Sequence, residues 1–223
     1  TADADILRFG EHKVLSVACF DRALHRDGGW LLRLPQEDFC QALGVPPHLK
    51  YESQGGPGVP DLAGILRRSE TAQADLDTLF TALVVFWMLA APDGHAKNFS
   101  LRLLPGGRFR LTPLYDVMSI WPVEGDGANQ WSWHKAKLAM AVHGKRKHYA
   151  MRDITRRHFT AMAEYCLLGD IATPIVERLI AMTPHVIESV GAALPAGFPV
   201  RTAERILGGL RFAAQRLADM PGE

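Results

Sequence analysis

Cysteine is scarce in this chain. Cys19, Cys40 and Cys166 are odd in number and widely scattered. They lack metal-ligand spacing and pairing, which excludes a disulfide framework and points to buried, reduced thiols of a cytoplasmic protein. Excess charge of either sign is also missing. The 25 Lys and Arg against 24 Asp and Glu leave a formal charge of +1, too little to draw nucleic acid or anionic lipid by itself. No apolar run reaches the roughly 18–20 residues that span a bilayer; residues 79–91 are too short and read as core. His134, His143 and His148 have no cysteine or carboxylate at zinc spacing, so a zinc hydrolase is excluded. Repeats, low-complexity tracts and a dividing linker are absent too. With 48% apolar and 22% charged residues, residues 1–223 read as a globular chain that can bury one large core, or a small α/β part plus a helical part.

Against that plain background stands Asp93-Gly94-His95-Ala96-Lys97-Asn98, followed by Tyr115-Asp116. The Asp-to-Asn spacing is that of a kinase catalytic loop, D-x-x-x-x-N. There the Asp accepts the proton of the attacking hydroxyl, the Asn holds Mg²⁺, and a second Asp downstream holds metal at the nucleotide phosphates. Phosphoryl transfer needs such groups because its catalysis is mostly positioning and charge neutralisation. Residues 75–91 read as a buried helix with apolar residues at helical spacing, Leu76, Leu79, Phe80, Leu83 and Phe86. Pro92 disfavours helical geometry at Ala91. FSLRLL and RFRLTPL around Pro105-Gly106-Gly107 predict two strands and a turn. The spacing alone is equally compatible with an ordinary helix-capping turn beside a hairpin.

Elsewhere, Ile6–Phe9 and Lys13–Phe20 around Gly10-Glu11-His12 predict a hairpin, and Trp30–Leu34 a further strand. Residues 36–43 are expected as a short helix ended by Gly44 and Pro46-Pro47. Residues 53–60 (SQGGPGVP) are expected as a flexible loop, then 61–69 and 72–91 as helices. From Asp153 onward the pattern is helical, with Thr173-Pro174, Thr183-Pro184 and Pro195–Pro199 marking boundaries where Thr caps and Pro opens a helix. SQGGPGVP lacks the Gly-Lys-Ser/Thr ending of a P-loop, so it reads as a structural or substrate-side loop before a phosphate cradle. The basic stretch 143–148 reads as solvated surface, with acidic-protein docking or DNA contact as alternatives. Trp121, Trp131 and Trp133 follow Asp116 and could form a protein-binding patch, with at least one expected in the core.

Residues 31–58 (LLRLPQEDFCQALGVPPHLKYESQGGPG), DGHAKNFS (93–100), LTPLYDVMSIWPV (111–123), KLAMAVHGK (137–145) and RRHF (156–159) form a set of blocks that resembles the HipA-like serine/threonine kinases, toxins of bacterial toxin–antitoxin modules. The resemblance runs through nearly the whole chain. It implies an α+β, mostly α fold: a protein-kinase-like C-terminal lobe with residues 1–35 as a strand-rich start and hinge, and 36–223 mainly helical. It implies ATP and Mg²⁺ as cofactors and a protein hydroxyl as acceptor. It further implies a protein substrate of the translation machinery and a helix-turn-helix antitoxin partner, with DNA reached only through that antitoxin and no membrane. Carried onto this sequence, Asp93 is the catalytic base, and Asn98 and Asp116 are the metal ligands. His95, Ala96, Lys97, Asn98 and Tyr115 line the phosphates. Ala18, Cys19 and Phe20 fall at the hinge that meets adenine through backbone groups, and Asp21 and Gln36 at polar positions near the ribose.

Departures from the general kinase pattern are that no Arg precedes Asp93 and that Tyr115-Asp116-Val117 stands for Asp-Phe-Gly; both fit the HipA-like form. The glycine-rich nucleotide loop and its strand lysine are not found ahead of the hinge, where Lys13 is the sole lysine. The chain is therefore expected to be a C-terminal piece lacking the N-terminal lobe, and inactive alone. The alternative is a noncatalytic kinase-like lobe that binds an antitoxin or other partner.

Overall fold

A computed structural model of the chain describes residues 1–221. Its first third is strand-rich. β1 (Ala4–Phe9) and β2 (His12–Val17) form an antiparallel hairpin with Ala4 opposite Val17, and β3 (Arg22–Leu24) pairs with β4 (Leu31–Arg33). Residues 36–38 are not helical as the sequence suggested but form β5 (Gln36–Asp38), the outer strand of a three-stranded sheet with β6 (Ser100–Leu103) and β7 (Phe109–Leu111). The helix α1 (Phe39–Ala42) starts only after it. Asp38 caps α1, its carboxylate accepting the Gln41 N–H at 2.9 Å while the Gln41 side chain accepts the Asp38 N–H. That reciprocal box explains the displaced boundary.

The predicted buried helix is α3 (Ala72–Met88), preceded by α2 (Val59–Leu66). α3 is covered on almost every side: Leu79, Phe80, Val84, Trp87 and Met88 are all but inaccessible. Its indole at Trp87 donates to the Met151 carbonyl at 2.8 Å. At its start the buried Asp75 accepts from Ser69 Oγ and from the Leu111 N–H, which ties the helix to β7. At its end Ala90 adopts φ 47°, and the Ala91 N–H reaches back to the Phe86 carbonyl at 2.8 Å. This left-handed stop, usual for glycine, turns the chain out before Pro92.

β8 (Lys137–His143) and β9 (Lys147–Ala150) form a hairpin that the sequence reading did not predict. β8 is buried from Leu138 to His143. The stretch read as a basic surface loop is the turn of this hairpin. Lys147 there is not free: its Nζ lies 2.8 Å from Glu52 Oε1. Of the segment 53–60, expected to be a flexible loop, Ser53 to Gly55 are exposed, whereas Gly56 to Pro60 are packed and lead into α2. A Cβ on Gly56 would lie 2.1 Å from the Leu49 carbonyl oxygen, and one on Gly58 would strike the Glu52 carboxylate.

Three helices complete the body: α4 (Arg156–Tyr165), α5 (Ala172–Ala193) and α6 (Val200–Asp219). Thr183-Pro184 does not begin a helix, because α5 runs straight through it. Thr183 Oγ1 donates to the Leu179 carbonyl at 2.7 Å, and Pro184 sits on the exposed side, where water can serve the carbonyl that lost its donor. α6 packs on the buried Trp121, with Gly209 against its ring. Trp121 and Trp133 are stacked in the core at 6.2 Å, while Trp131 is exposed. Among the described residues no helix is long and apolar enough to cross a membrane.

Candidate active site

The turn after α3 delivers Asp93 to Asn98 onto a short 3-10 segment, Ala96–Asn98, before β6. Gly94 is required by contact, since a Cβ there would lie 2.2 Å from the Phe86 ring. The Asn98 amide Nδ2 donates to the Asp93 carbonyl at 2.8 Å, so the two polar residues of the motif are locked to each other across the turn. Asn98 Oδ1 then keeps no protein partner among the described residues. The Asp93 carboxylate is partly exposed, and its Oδ1 accepts from Tyr51 Oη at 2.8 Å.

His95 is buried beneath them, with its Nε2 3.8 Å from Asp93 Oδ1 and its ring edge-on to Tyr51 at 5.3 Å. Burial pushes its pKa below the usual histidine range, and the Asp93 carboxylate only partly opposes this, so the imidazole is neutral near pH 7. Its Nδ1 is buried and has no hydrogen-bond partner. Lys97 does not extend into solvent: Nζ pairs with Asp38 Oδ2 at 2.6 Å. This joins the motif to β5. Ala96 is fully buried packing.

Tyr115 hydroxyl contacts Ser100 Oγ and the Lys97 carbonyl, and its ring packs on Phe20 at 5.8 Å. Burial raises its pKa. Asp116 follows in left-handed geometry, φ 55°, a conformation that aspartate tolerates better than most side chains. Its carboxylate is exposed and makes no hydrogen bond or ion pair among the described residues. It lies near enough to His95 and Tyr115 to favour their protonated forms. The segment beyond is fastened to the end of α3: Trp121 Nε1 donates to the Met88 carbonyl, Ser119 Oγ to Leu89 and the Ile120 N–H to Ala90. The three carbonyls left over by the helix thus hold the Asp116 segment against the Asp93 turn.

The proposed hinge residues reach the same region through Phe20. Ala18 N–H is taken by the Asp3 carbonyl and the Cys19 carbonyl by Arg22 N–H. The N–H groups of Cys19 and Phe20 keep no protein acceptor among the described residues. Asp21 is less available, because Arg22 engages its carboxylate. Gln36 Oε1 is buried without a partner. Tyr51, Asp38, Ser100 and Ser119 were not singled out from the sequence; Tyr51 stands 42 residues from the aspartate it touches, and no local spacing signals such a bond.

For a divalent cation the fit is with an oxygen-liking ion. Asn98 Oδ1 and the Asp116 carboxylate are oxygen donors without protein partners, and the described residues contain no cluster of three His, Cys, Asp or Glu side chains that could hold a metal alone. Mg²⁺ is commonly held by one or two protein oxygens together with substrate phosphates and water.

The sequence profile of the HipA-like C-terminal domain matches residues 1–190. The chain is 42% identical over 106 residues to "Putative kinase Y4mE" of Sinorhizobium fredii, covering 47% of this chain and 25% of that protein. It is 34% identical over 156 residues to the serine/threonine-protein kinase toxin HipA of Shewanella oneidensis, covering 63% of this chain and 33% of the toxin. Its fold is similar to a chain in the solved complex of Shewanella oneidensis HipA, HipB and operator DNA, with a TM-score of 0.81 over 97% of this chain and 51% of that one, at 21% identity. The chain thus spans about half of the solved chain and a quarter to a third of the two curated relatives. With the matched profile covering most of its length, it belongs to the HipA-like C-terminal domain family.

Proposed function

We propose that this chain is the C-terminal lobe of a HipA-like protein kinase that transfers the γ-phosphoryl of ATP to a serine or threonine of a protein acceptor. The observation that carries the reading is the Asp93 turn itself. Its asparagine is bonded to its aspartate's backbone, and the Asp116 segment is clamped to the same helix end. Asp93 would receive the acceptor proton at Oδ2, since Tyr51 occupies Oδ1. Asn98 Oδ1 and the Asp116 carboxylate would hold Mg²⁺, which when bound neutralises phosphate charge. Neutral His95 would offer a hydrogen bond without adding charge, Lys97 would fix the turn through Asp38, and the free Cys19 and Phe20 N–H groups would meet the adenine ring.

The HipB and operator DNA of the solved complex support an antitoxin as partner, which we take to be a helix-turn-helix protein through which DNA is met; the acceptor in the translation machinery is carried by the family resemblance alone. A noncatalytic lobe would not need Asn98 and Asp116 to keep oxygens free of protein partners.

The test is phosphotransfer by the full-length polypeptide with Mg²⁺–ATP. Asp93→Asn and Asp116→Asn are each expected to lower turnover by about 10²–10⁴-fold with unchanged thermal stability, and residues 1–223 alone are expected not to turn over. Activity retained in both variants overturns the assignment.

A further inference from the structure

Beside Asp93 the surface opens into a groove of about 960 Å³ whose lining includes Tyr51, Ser53, Gln54, Met118, Val123, Trp131, Lys135 and Lys137. Two features of this lining are unusual for free surface. One is apolar exposure: Trp131 is 56% and Val123 46% exposed on one wall, and Met118 of the same lining is 65% exposed. The wall is built, not loose. Trp131 N–H donates to the Val123 carbonyl at 2.9 Å, Gly125 N–H to the Trp131 carbonyl, and the Gln130 side chain accepts from Gly127 N–H at 2.8 Å. Behind it the stacked Trp121 and Trp133 rings are core. The other feature is one-sided charge. Among the described residues, Lys135 and Lys137 are exposed and join no ion pair, and Asp93 is the only acid that lines the groove. Lys50 adds a third cation at the Tyr51 end, 5.0 Å from that ring.

We propose that this groove selects the acceptor: it takes an extended peptide segment in which the serine or threonine is flanked by acidic residues facing Lys135 and Lys137 and by a bulky apolar residue seated on Met118, Val123 and Trp131. The argument for this occupant is charge complementarity. A groove with unpaired lysines and a single acid attracts an anionic segment and repels a basic one. A rigid exposed tryptophan beside aliphatic carbons gives the apolar residue a preformed seat at low ordering cost. Lys135 and Lys137 thereby become specificity residues. The proposal rests on Asp93 being the base that faces the acceptor hydroxyl, but recognition of the flanks does not require turnover.

The experiment therefore measures binding without nucleotide. Dye-labelled short peptides with a central serine, Glu on one side and Leu on the other, in both orders, are titrated against residues 1–223 by fluorescence anisotropy. Counterparts replace Glu by Lys or Leu by Gly. The Glu/Leu peptide in one order is expected to bind on the order of tenfold tighter than its Lys counterpart, with an advantage that shrinks as salt rises. The double variant Lys135→Glu, Lys137→Glu is expected to remove or reverse that advantage, and Trp131→Ser to remove the preference for Leu. All of these positions are exposed, so melting by circular dichroism should be unaltered. Equal binding of all peptides, a preference for Lys, or preferences unchanged in the variants overturns the proposal. Phosphotransfer is read separately in the full-length polypeptide. Intact preferences with no phosphotransfer would reject the kinase reading alone, and phosphotransfer without preferences would reject the groove alone.

Discussion

His158 Nδ1 accepts the Thr155 backbone N–H at 3.1 Å, closing a capping box at the start of α4. That bond exists only while Nδ1 is unprotonated. Burial, then the neighbouring His148 ring stacked at 3.9 Å and Arg157, lower the pKa of His158 below the ordinary histidine value. The unfolded chain, whose histidines titrate near about 6.5, therefore takes up this proton first as pH falls. Between that value and the lower folded one the unfolded state binds more protons, so stability drops toward acid and is complete above about pH 6.5. His95 contributes a slope of the same sign, because burial lowers its pKa too. Gln at position 158 can serve as the acceptor of the same box and does not titrate. Melting temperature followed from pH 7.5 to 5 is expected to fall less steeply in His158→Gln than in the parent. Parallel curves would show that His158 keeps its neutral form for no energetic reason.

Between α1 and α2, a single buried carboxylate decides how the chain runs. Glu52 accepts the Ala141 N–H at 2.6 Å, meets His143 Nε2 at 2.9 Å and pairs with Lys147, while Gly56 and Gly58 allow the backbone to fold tightly around it. Its neighbour Tyr51 is the residue that holds Asp93, so the packing of this loop on β8 sets the side chain beside the proposed base. Removing the acid leaves a buried N–H and a buried imidazole without their acceptor. Glu52→Ala is expected to cost about 3 kcal/mol, on the order of 10 °C in Tm, and Gly56→Ala to be destabilising by roughly 1–3 kcal/mol; chemical denaturation measures both. A Glu52→Ala midpoint equal to the parent's would mean that Tyr51 is held by something else. The sequence displayed the glycines of this loop but not their reason. Glu52 and Ala141 are 89 residues apart, and the carboxylate that the Gly58 backbone clears is recognisable only once β8 lies against it. β5 was misjudged for the same cause: residues 36–38 gain strand geometry from pairing with β6, with Asp38 opposite Ser100, while their local pattern ran on into α1. Local chemistry, by contrast, was readable where it acts locally, as in the Pro92 exit from α3, the Pro105-Gly106-Gly107 turn and the spacing of Asp93 and Asn98.

The molecule is uneven in how firmly its parts are held. Every residue of β1 and five of six in β2 are exposed, and the buried core begins only at Phe39. Ile6, Leu7, Phe9, Leu15 and Val17 all stand in solvent, so the hairpin gains little from burial. Its tie to the body among backbone bonds outside the strands is the Ala2 N–H to the Leu114 carbonyl at 2.9 Å. An isolated two-stranded hairpin is marginal in water. The turn carrying Asp93, in contrast, hangs on α3, whose flanks are packed by α2, β7, α5 and α6. Local opening follows such contact differences. Native-state hydrogen exchange of residues 1–223 is therefore expected to label β1 and β2 within the earliest time points, while amides of α3 and β8 exchange only near the global unfolding free energy. Limited proteolysis should clip first between Phe9 and Leu34 and leave a folded body that retains the near-ultraviolet signal of the buried Trp87, Trp121 and Trp133. Protection of β1 and β2 equal to that of α3 would mean that the exposed apolar residues of the hairpin are covered in solution, and that the strand-rich start and the helical body unfold as one unit.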